Sequence, residues 1–230
     1  MKRSIPNIIT LCNGLFGVIS IIAILNNKIS FVPYFFAIAL LCDFLDGMVA
    51  RLLKTSSALG RELDSLCDVI SFGVLPATLI AYMLNFYDNI PNIIIYLSAL
   101  YPLFTIYRLS IFNVKFYNLS YFVGLSSPMA AVFVITIFFL NQQWFLPWYL
   151  YLFINLLIAI FMVLPLHFYN FKDLQKTNLG KVILITILLT IIIFFIIFSW
   201  ISILIFSIIY LLISLLLENK KVKSKISTKL

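Results

Sequence analysis

Five of the eight acidic residues in this 230-residue chain lie in one short stretch, DFLDGMVARLLKTSSALGRELDSLCD. They are Asp43, Asp46, Glu62, Asp64 and Asp68. The first two aspartates are three positions apart and the last two are four apart, so each pair shares one face of a helix. Two antiparallel helices joined by a short loop would turn these pairs toward each other. Four carboxylates form the all-oxygen ligand set that Mg²⁺ or Mn²⁺ prefers, and they can hold two ions about 3.5–4 Å apart.

The rest of the chain is strongly apolar, with 63% hydrophobic residues, 10% charged residues and a mean hydropathy of +1.13. A soluble domain has roughly 25% charged residues, and a transmembrane helix needs about 20 mainly apolar residues. The composition therefore indicates one integral membrane domain and excludes a soluble enzyme. Paired aspartates could also form a solvated helix-loop-helix. The small residues Gly47, Ala50 and Gly60 among them favour a site that a large ligand can approach.

The apolar segments predict an all-α, polytopic membrane protein with about eight transmembrane helices. The domain covers residues 1–218, with the catalytic helices mainly in 1–132, and a basic tail follows at 219–230. The first apolar segment is predicted to span the membrane and not to be a cleaved signal peptide, because it is long and lacks a typical cleavage site. The predicted spans are 6–26, 31–53, 63–86, 91–113, 124–141, 145–168, 180–198 and 200–217.

The cations give the orientation. Cytoplasmic loops carry the excess of Lys and Arg. With eight crossings and a cytoplasmic N-terminus, every one of the sixteen Lys and Arg residues except Lys28 lies on the inner side. We therefore expect a multi-pass protein of the cell membrane with both termini and the aspartates at the cytoplasmic face. The net charge of +8 then reflects membrane orientation, and we expect no nucleic-acid partner.

The pattern D-x2-D-G-x2-A-R-x8-G-x3-D-x3-D resembles the signature of the CDP-alcohol phosphatidyltransferases, with every gap matching. The resemblance implies a membrane enzyme that binds a CDP-linked lipid and two divalent metals, transfers the phosphatidyl group to an alcohol and releases CMP. It implies that Asp43, Asp46 and Asp64 are metal ligands. Asp68 would be a further ligand and the catalytic general base.

The same resemblance implies a binding pocket for the cytidine diphosphate group, formed by Gly47, Ala50, Arg51 and Gly60. Near the start of the first helix, Asn7 and Thr10 admit two interpretations. They contact the nucleotide, or they only belong to the first turns of a helix that Pro6 helps to initiate.

Stretches outside the signature are similar to those of family members that use serine as the acceptor: IPNIITLCNG, GRELDSLCDVISFGVLPA, YRLSIFNV and FVGLSSPMAA. The implied substrates are CDP-diacylglycerol and L-serine. An arginine at membrane depth is a candidate functional residue, and Arg108 could bind the serine carboxylate, although a snorkelling anchor is the alternative. Asn113, Ser126 and Ser127 would complete the acceptor pocket. Serine-type members often have a second arginine at the position of Ile111 and a proline at that of Ser126.

Other functions stay open at this point. Glycerol 3-phosphate or inositol phosphate could replace serine, although both carry a phosphate that would need more cations. A cation transporter could use the acidic cluster, but no second copy of the pattern supports an inverted repeat. A purely structural assembly partner leaves the four aspartates unexplained. The only histidine, His167, is predicted to lie at a helix end near the interface, so direct transfer is favoured over a covalent intermediate. Family resemblance also implies a homodimer.

Overall fold

The chain folds as a helical membrane protein. The computed structural model describes residues 4–55, 57–116, 122–164, 166–168, 200–209 and 211–212. Within these ranges, four helical segments are long and apolar enough to cross a membrane, and we call them spans 1 to 4. They are Ser4–Leu25, Ile29–Leu53, Ala58–Leu84 and Asn92–Val114.

Most spans are built from more than one helical element. The α-helices are α1 (Ser4–Leu25), α2 (Val32–Leu53), α3 (Ala58–Asp68), α4 (Leu75–Leu84), α5 (Asn92–Tyr96), α6 (Leu100–Ile111), α7 (Ser127–Trp144) and α8 (Trp148–Val163). Short 3-10 turns at Ile29–Phe31 and Leu97–Ala99 precede α2 and α6. Wider π-helical segments, Val69–Val74 and Phe112–Phe116, follow α3 and α6. A further apolar helix covers Trp200–Ile209.

The first four predicted spans correspond to spans 1 to 4, and the next two correspond to α7 and α8. Each of these last two helices begins three residues later than predicted. The predicted span 180–198 lies outside the described residues, and only part of 200–217 lies within them. The eight crossings and the cytoplasmic location of both termini therefore stay predictions.

The all-α class is confirmed for the described residues, although one short ladder was not predicted. A two-residue antiparallel ladder pairs Phe122–Val123 with His167–Phe168, so His167 lies in a strand and not at a helix end. Helix α8 ends at Val163, and Leu164 is already extended, with ψ 137. In the sequence, Pro165 comes next, and the residue before a proline is disfavoured in the helical conformation.

The start of span 3 also differs from the prediction, which placed a loop at 54–62. Helix α2 ends where Lys54 takes the left-handed conformation, with φ 52. Helix α3 begins at Ala58, because the Ser57 hydroxyl accepts a hydrogen bond from the Gly60 amide at 3.0 Å and caps the helix. The connection between the two helices is therefore only a few residues long, and Gly60 lies in the first turn of α3.

Helix α1 packs very closely against span 3. A Cβ added at Gly14 would lie 2.9 Å from Cys67 Sγ, and one added at Gly17 would lie 3.0 Å from Ser71 Cα. Small residues allow such close approach between membrane helices. This contact sets the distance between the polar side chains of α1 and the acidic side chains of α3.

We predict that Gly17→Ala lowers the thermal stability of the detergent-solubilised protein, because its Cβ meets backbone that cannot move aside. Overpacking costs about 1–3 kcal/mol. Gly47→Ala is the matched control, since a Cβ there meets nothing within 4 Å. Both changes improve helix propensity by about 1 kcal/mol, so the difference in melting temperature isolates the packing term. Equal melting temperatures for the two variants would contradict the close contact.

Candidate active site

Three acidic side chains converge where spans 2 and 3 meet. One carboxylate oxygen each from Asp43, Asp64 and Asp68 lies within 4.8 Å of the other two. Asp68 is buried, with 6% of its surface exposed, and the other two are half-buried. Asp43 comes from α2, whereas Asp64 and Asp68 share one face of α3 because they are four residues apart. We call these three residues the acidic cluster.

Asp46, the fourth predicted ligand, is turned toward α1. It is 6% exposed, and its Oδ2 accepts a hydrogen bond from Thr10 Oγ1 at 2.5 Å. The same hydroxyl also lies 3.0 Å from the Pro6 carbonyl oxygen. Because a hydroxyl has one proton, the shorter contact with the carboxylate is the stronger of the two. Thr10 thus touches an acidic residue of the signature.

The acidic cluster needs positive charge, because carboxylates this close repel one another. Arg108 on α6 is 7% exposed and attracts both Asp68 and Asp43. An oxygen-only group of this size fits a hard divalent cation.

Arg108 is held by two neighbours. Its Nη1 donates to Ser127 Oγ at 3.1 Å, and its guanidinium lies 5.5 Å from the centre of the Phe112 ring. Within the part of the chain that the structure describes, no hydrogen-bond acceptor reaches its buried Nε. A buried donor without a partner is costly, so this nitrogen is poised to bind an anionic group.

The other predicted acceptor residues lie at the same end of the bundle. Ser127 is the buried first residue of α7, and Ser126 is the half-buried residue before it. Asn113 Nδ2 donates to Ser65 Oγ at 2.8 Å, which links span 4 to span 3 beside Asp64. Ser65 is not among the residues that the sequence predicts for the site, although its place between two signature aspartates was the available signal.

The residues predicted for the nucleotide border the acidic cluster. Gly47 and Ala50 follow on α2, and Arg51 is exposed in its last turn. A Cβ added at Gly47 would meet nothing within 4 Å, so this backbone borders open space. A Cβ at Gly60 would lie 3.2 Å from Asn7 Oδ1, which brings the start of α1 next to the start of α3.

Sequence reasoning missed Asn13. This fully buried residue of α1 donates from Nδ2 to Asp68 Oδ1 at 3.1 Å. Its backbone carbonyl accepts a hydrogen bond from Ser71 Oγ at 2.9 Å. The available signal was an asparagine three residues after Thr10 in an otherwise apolar helix, since polar residues in membrane helices usually have a specific partner.

The fold and the site define an integral membrane protein with a carboxylate cluster, suited to a metal ion, beside a buried arginine. Comparison with known proteins specifies this class further. The model of the family "CDP-alcohol phosphatidyltransferase" matches residues 3–127, more than half of the chain, and the chain belongs to this family.

Several curated relatives are similar over much of their length. The chain is 37% identical over 189 residues to the CDP-diacylglycerol–serine O-phosphatidyltransferase of Helicobacter pylori, covering 79% of this chain and 78% of the relative. It is 36% identical over 135 residues to the enzyme of the same name from Bacillus subtilis, covering 59% and 75%. The archaetidylserine synthase of Methanothermobacter thermautotrophicus is 38% identical over 133 residues, covering 56% and 55%.

We predict that Mn²⁺ raises the melting temperature of the purified protein and that Asp64→Asn or Asp68→Asn abolishes this rise. A ligand that binds only the folded state stabilises it by about 2.7 kcal/mol at 100 times its dissociation constant. Asp88→Asn is the matched control, because Asp88 is exposed and lies beyond α4, outside the acidic cluster. A full Mn²⁺ response in either cluster variant would contradict the assignment.

Proposed function

We propose that this protein transfers the phosphatidyl group of CDP-diacylglycerol to L-serine, giving phosphatidylserine and CMP. Relatives from Helicobacter pylori and Bacillus subtilis carry the name of this activity, and the chain spans 78% and 75% of their lengths. The observation that carries the proposal is the buried Arg108 beside the acidic cluster, with its Nε without a hydrogen-bond partner among the described residues. The arginine suits an acceptor that carries a carboxylate.

In this proposal, Asp43, Asp46, Asp64 and Asp68 hold two divalent cations, Mg²⁺ or Mn²⁺. These cations supply electrostatic stabilisation of the diphosphate and of the charge that develops on the leaving CMP. The mutual approach of three carboxylate oxygens to within 4.8 Å supports the assignment. Asp46 can bind a cation through Oδ1 while its Oδ2 keeps the Thr10 hydroxyl, because a carboxylate has two acceptor oxygens.

The nucleotide end of the lipid substrate is assigned to the start of α3 and the end of α2. Gly47 and Gly60 let the ligand approach the backbone. The small side chain of Ala50 leaves room for the ligand beside α2. Arg51 offers a guanidinium to a phosphate. Asn7 and Thr10 complete this side. The open space beside Gly47 supports its role, since an added Cβ there would meet nothing within 4 Å.

The proposed chemistry is a direct transfer. The serine hydroxyl oxygen attacks the lipid-side phosphorus, a new P–O bond forms, and the bond to the CMP oxygen breaks. Asp68 orients the hydroxyl and accepts its proton. A covalent route would need a nucleophile with an adjacent base. His167, the only histidine in the sequence, lies in the short strand after α8.

The acceptor pocket is assigned to the region where span 4 meets α7. Arg108 pairs with the serine carboxylate, while Ser127 keeps the guanidinium in place by accepting from Nη1. Asn113 and Ser126 provide further polar groups at this end. Glycerol 3-phosphate is disfavoured because a phosphate dianion would need a second cation, and the position of Ile111 has none.

We further propose that both termini and the active site are on the cytoplasmic side of the cell membrane and that the chain crosses eight times. The distribution of Lys and Arg supports this orientation. The proposed site residues lie near the starts of span 1, span 3 and α7 and toward the ends of spans 2 and 4, so one membrane face would serve both the nucleotide and serine. Family resemblance supports a homodimer.

The decisive assay measures CMP released by the purified protein from CDP-diacylglycerol with Mn²⁺ or Mg²⁺. L-serine, glycerol 3-phosphate and inositol phosphate are supplied one at a time. We expect release with L-serine alone, and none when a chelator removes the metal. Release with glycerol 3-phosphate but not with serine would refute the acceptor assignment while keeping the family chemistry.

A second experiment tests Arg108 through acceptor choice. Ethanolamine is serine without its carboxylate. We expect Arg108→Gln to lower kcat/KM for L-serine about 100-fold relative to ethanolamine, because losing one partner of a buried ion pair costs about 2–5 kcal/mol. Ser110→Ala is the matched control, since Ser110 is on the same helix, is exposed and bonds to its own backbone. If the variant has the wild-type ratio of kcat/KM for L-serine to kcat/KM for ethanolamine, Arg108 does not bind the serine carboxylate.

A further inference from the structure

Helix α1 carries a polar face directed at the acidic residues of its two neighbours. Thr10 and Asn13 are three positions apart and are 3% and 0% exposed. Thr10 donates to Asp46 of α2, and Asn13 donates to Asp68 of α3. Ser20 is the next buried polar residue of α1, and among the described residues it bonds only to the Phe16 carbonyl of its own helix. The cross-helix bonds of α1 are therefore specific to the end where the acids lie.

The orientation of the Asn13 amide is determined by its partner. Nδ2 is a donor, and Asp68 Oδ1 is an acceptor; the opposite orientation would place two acceptor oxygens against each other. In this orientation the buried Oδ1 of Asn13 has no hydrogen-bond partner within the described ranges. Such an oxygen costs about 1–3 kcal/mol. Helix packing alone therefore does not explain an asparagine here, because an apolar residue of the same shape would avoid the cost.

The backbone around Asn13 is fixed against span 3. Ser71 Oγ donates to the Asn13 carbonyl at 2.9 Å. The neighbouring Gly14 lies so close to Cys67 that an added Cβ would approach its sulfur to 2.9 Å. The amide of Asn13 is thus held at a constant position relative to Asp68, which is the residue after Cys67.

We propose that Asn13 is a positioning residue of the reaction centre, which acts through Asp68. Its amide holds Oδ1 of Asp68 as a hydrogen-bond acceptor and so fixes the rotation of the carboxylate. Because the Asn13 amide is neutral, it does not offset the negative charge of Asp68, which stays available to a cation. Thr10 has the same role toward Asp46. This inference depends on the proposed binding of divalent cations by these aspartates. Partners that orient a metal-binding group typically contribute 10–100-fold in metal affinity or activity.

The test compares Asn13→Leu with the wild-type protein in lipid nanodiscs. Leucine has the same branching as asparagine but removes both the donor and the unpartnered acceptor. Mn²⁺ binding without substrate is measured from the electron paramagnetic resonance signal of the free ion. We expect the affinity to fall about 10–100-fold, with a melting temperature in chelator close to that of the wild type. The kcat falls, while KM for serine is unchanged, because Arg108 is untouched.

Three further variants make the result decisive. Asn13→Ala removes the amide without adding volume and replaces the leucine variant if that protein does not fold. Thr10→Val removes only the hydroxyl and is expected to weaken Mn²⁺ binding through Asp46. Ser20→Ala is the matched control on the same helix and is expected to bind Mn²⁺ as the wild type does.

The outcomes separate this inference from the proposed function. If a folded Asn13 variant binds Mn²⁺ as tightly as the wild type, the positioning role is wrong and the proposed function stands. If the wild type itself binds no Mn²⁺, the metal assignment fails and this inference fails with it. An Asn13 variant could instead lose both melting temperature in chelator and activity while it binds Mn²⁺ as the wild type does. In that case Asn13 has only a structural role.

Discussion

The mutual repulsion of carboxylates inside a membrane domain is the constraint on which the rest of this structure depends. Asp43, Asp64 and Asp68 bring oxygens within 4.8 Å of one another, and Asp68 is buried. Charges in such surroundings must be paired or must coordinate an ion. The neighbouring groups meet part of this need, because Arg108 supplies a positive charge and Asn13 supplies a neutral donor. Because a hard divalent cation prefers an oxygen-only group, the cluster suits the cation site that we propose.

Close packing of α1 is the second requirement, because short side chains can reach the acids only if the helices touch. Gly14 and Gly17 remove the side chains that would separate α1 from span 3. Thr10 and Asn13 then reach Asp46 and Asp68 directly. The glycines bury little hydrophobic area of their own. Their contribution is the short distance between α1 and span 3. A stretch with the sequence of a simple membrane helix therefore contacts the acidic residues of the candidate active site directly.

The arrangement also separates two tasks. The end of α2 and the start of α3 carry the groups suited to a diphosphate, while span 4 and α7 carry those suited to the acceptor. Arg108 belongs to both, since it attracts the acidic cluster and bonds to Ser127. A π-helical segment begins directly after Asp68, and another begins four residues after Arg108. Such segments often occur at functional sites, because the wider turn shifts the side chains that follow.

The sequence by itself determined the membrane class, the positions of spans 1 to 4 and the acidic signature, because apolar runs and three- or four-residue spacings are local properties of a single helix. It also determined that Asp64 and Asp68 share a face. Only the tertiary structure decided that Asp46 turns to α1, that Asn13 holds Asp68, and that a short strand pair follows α8. Spacing fixes which side chains lie together on one helix. Which neighbour covers that face depends on contacts between residues distant in sequence, such as the 55 positions between Asn13 and Asp68.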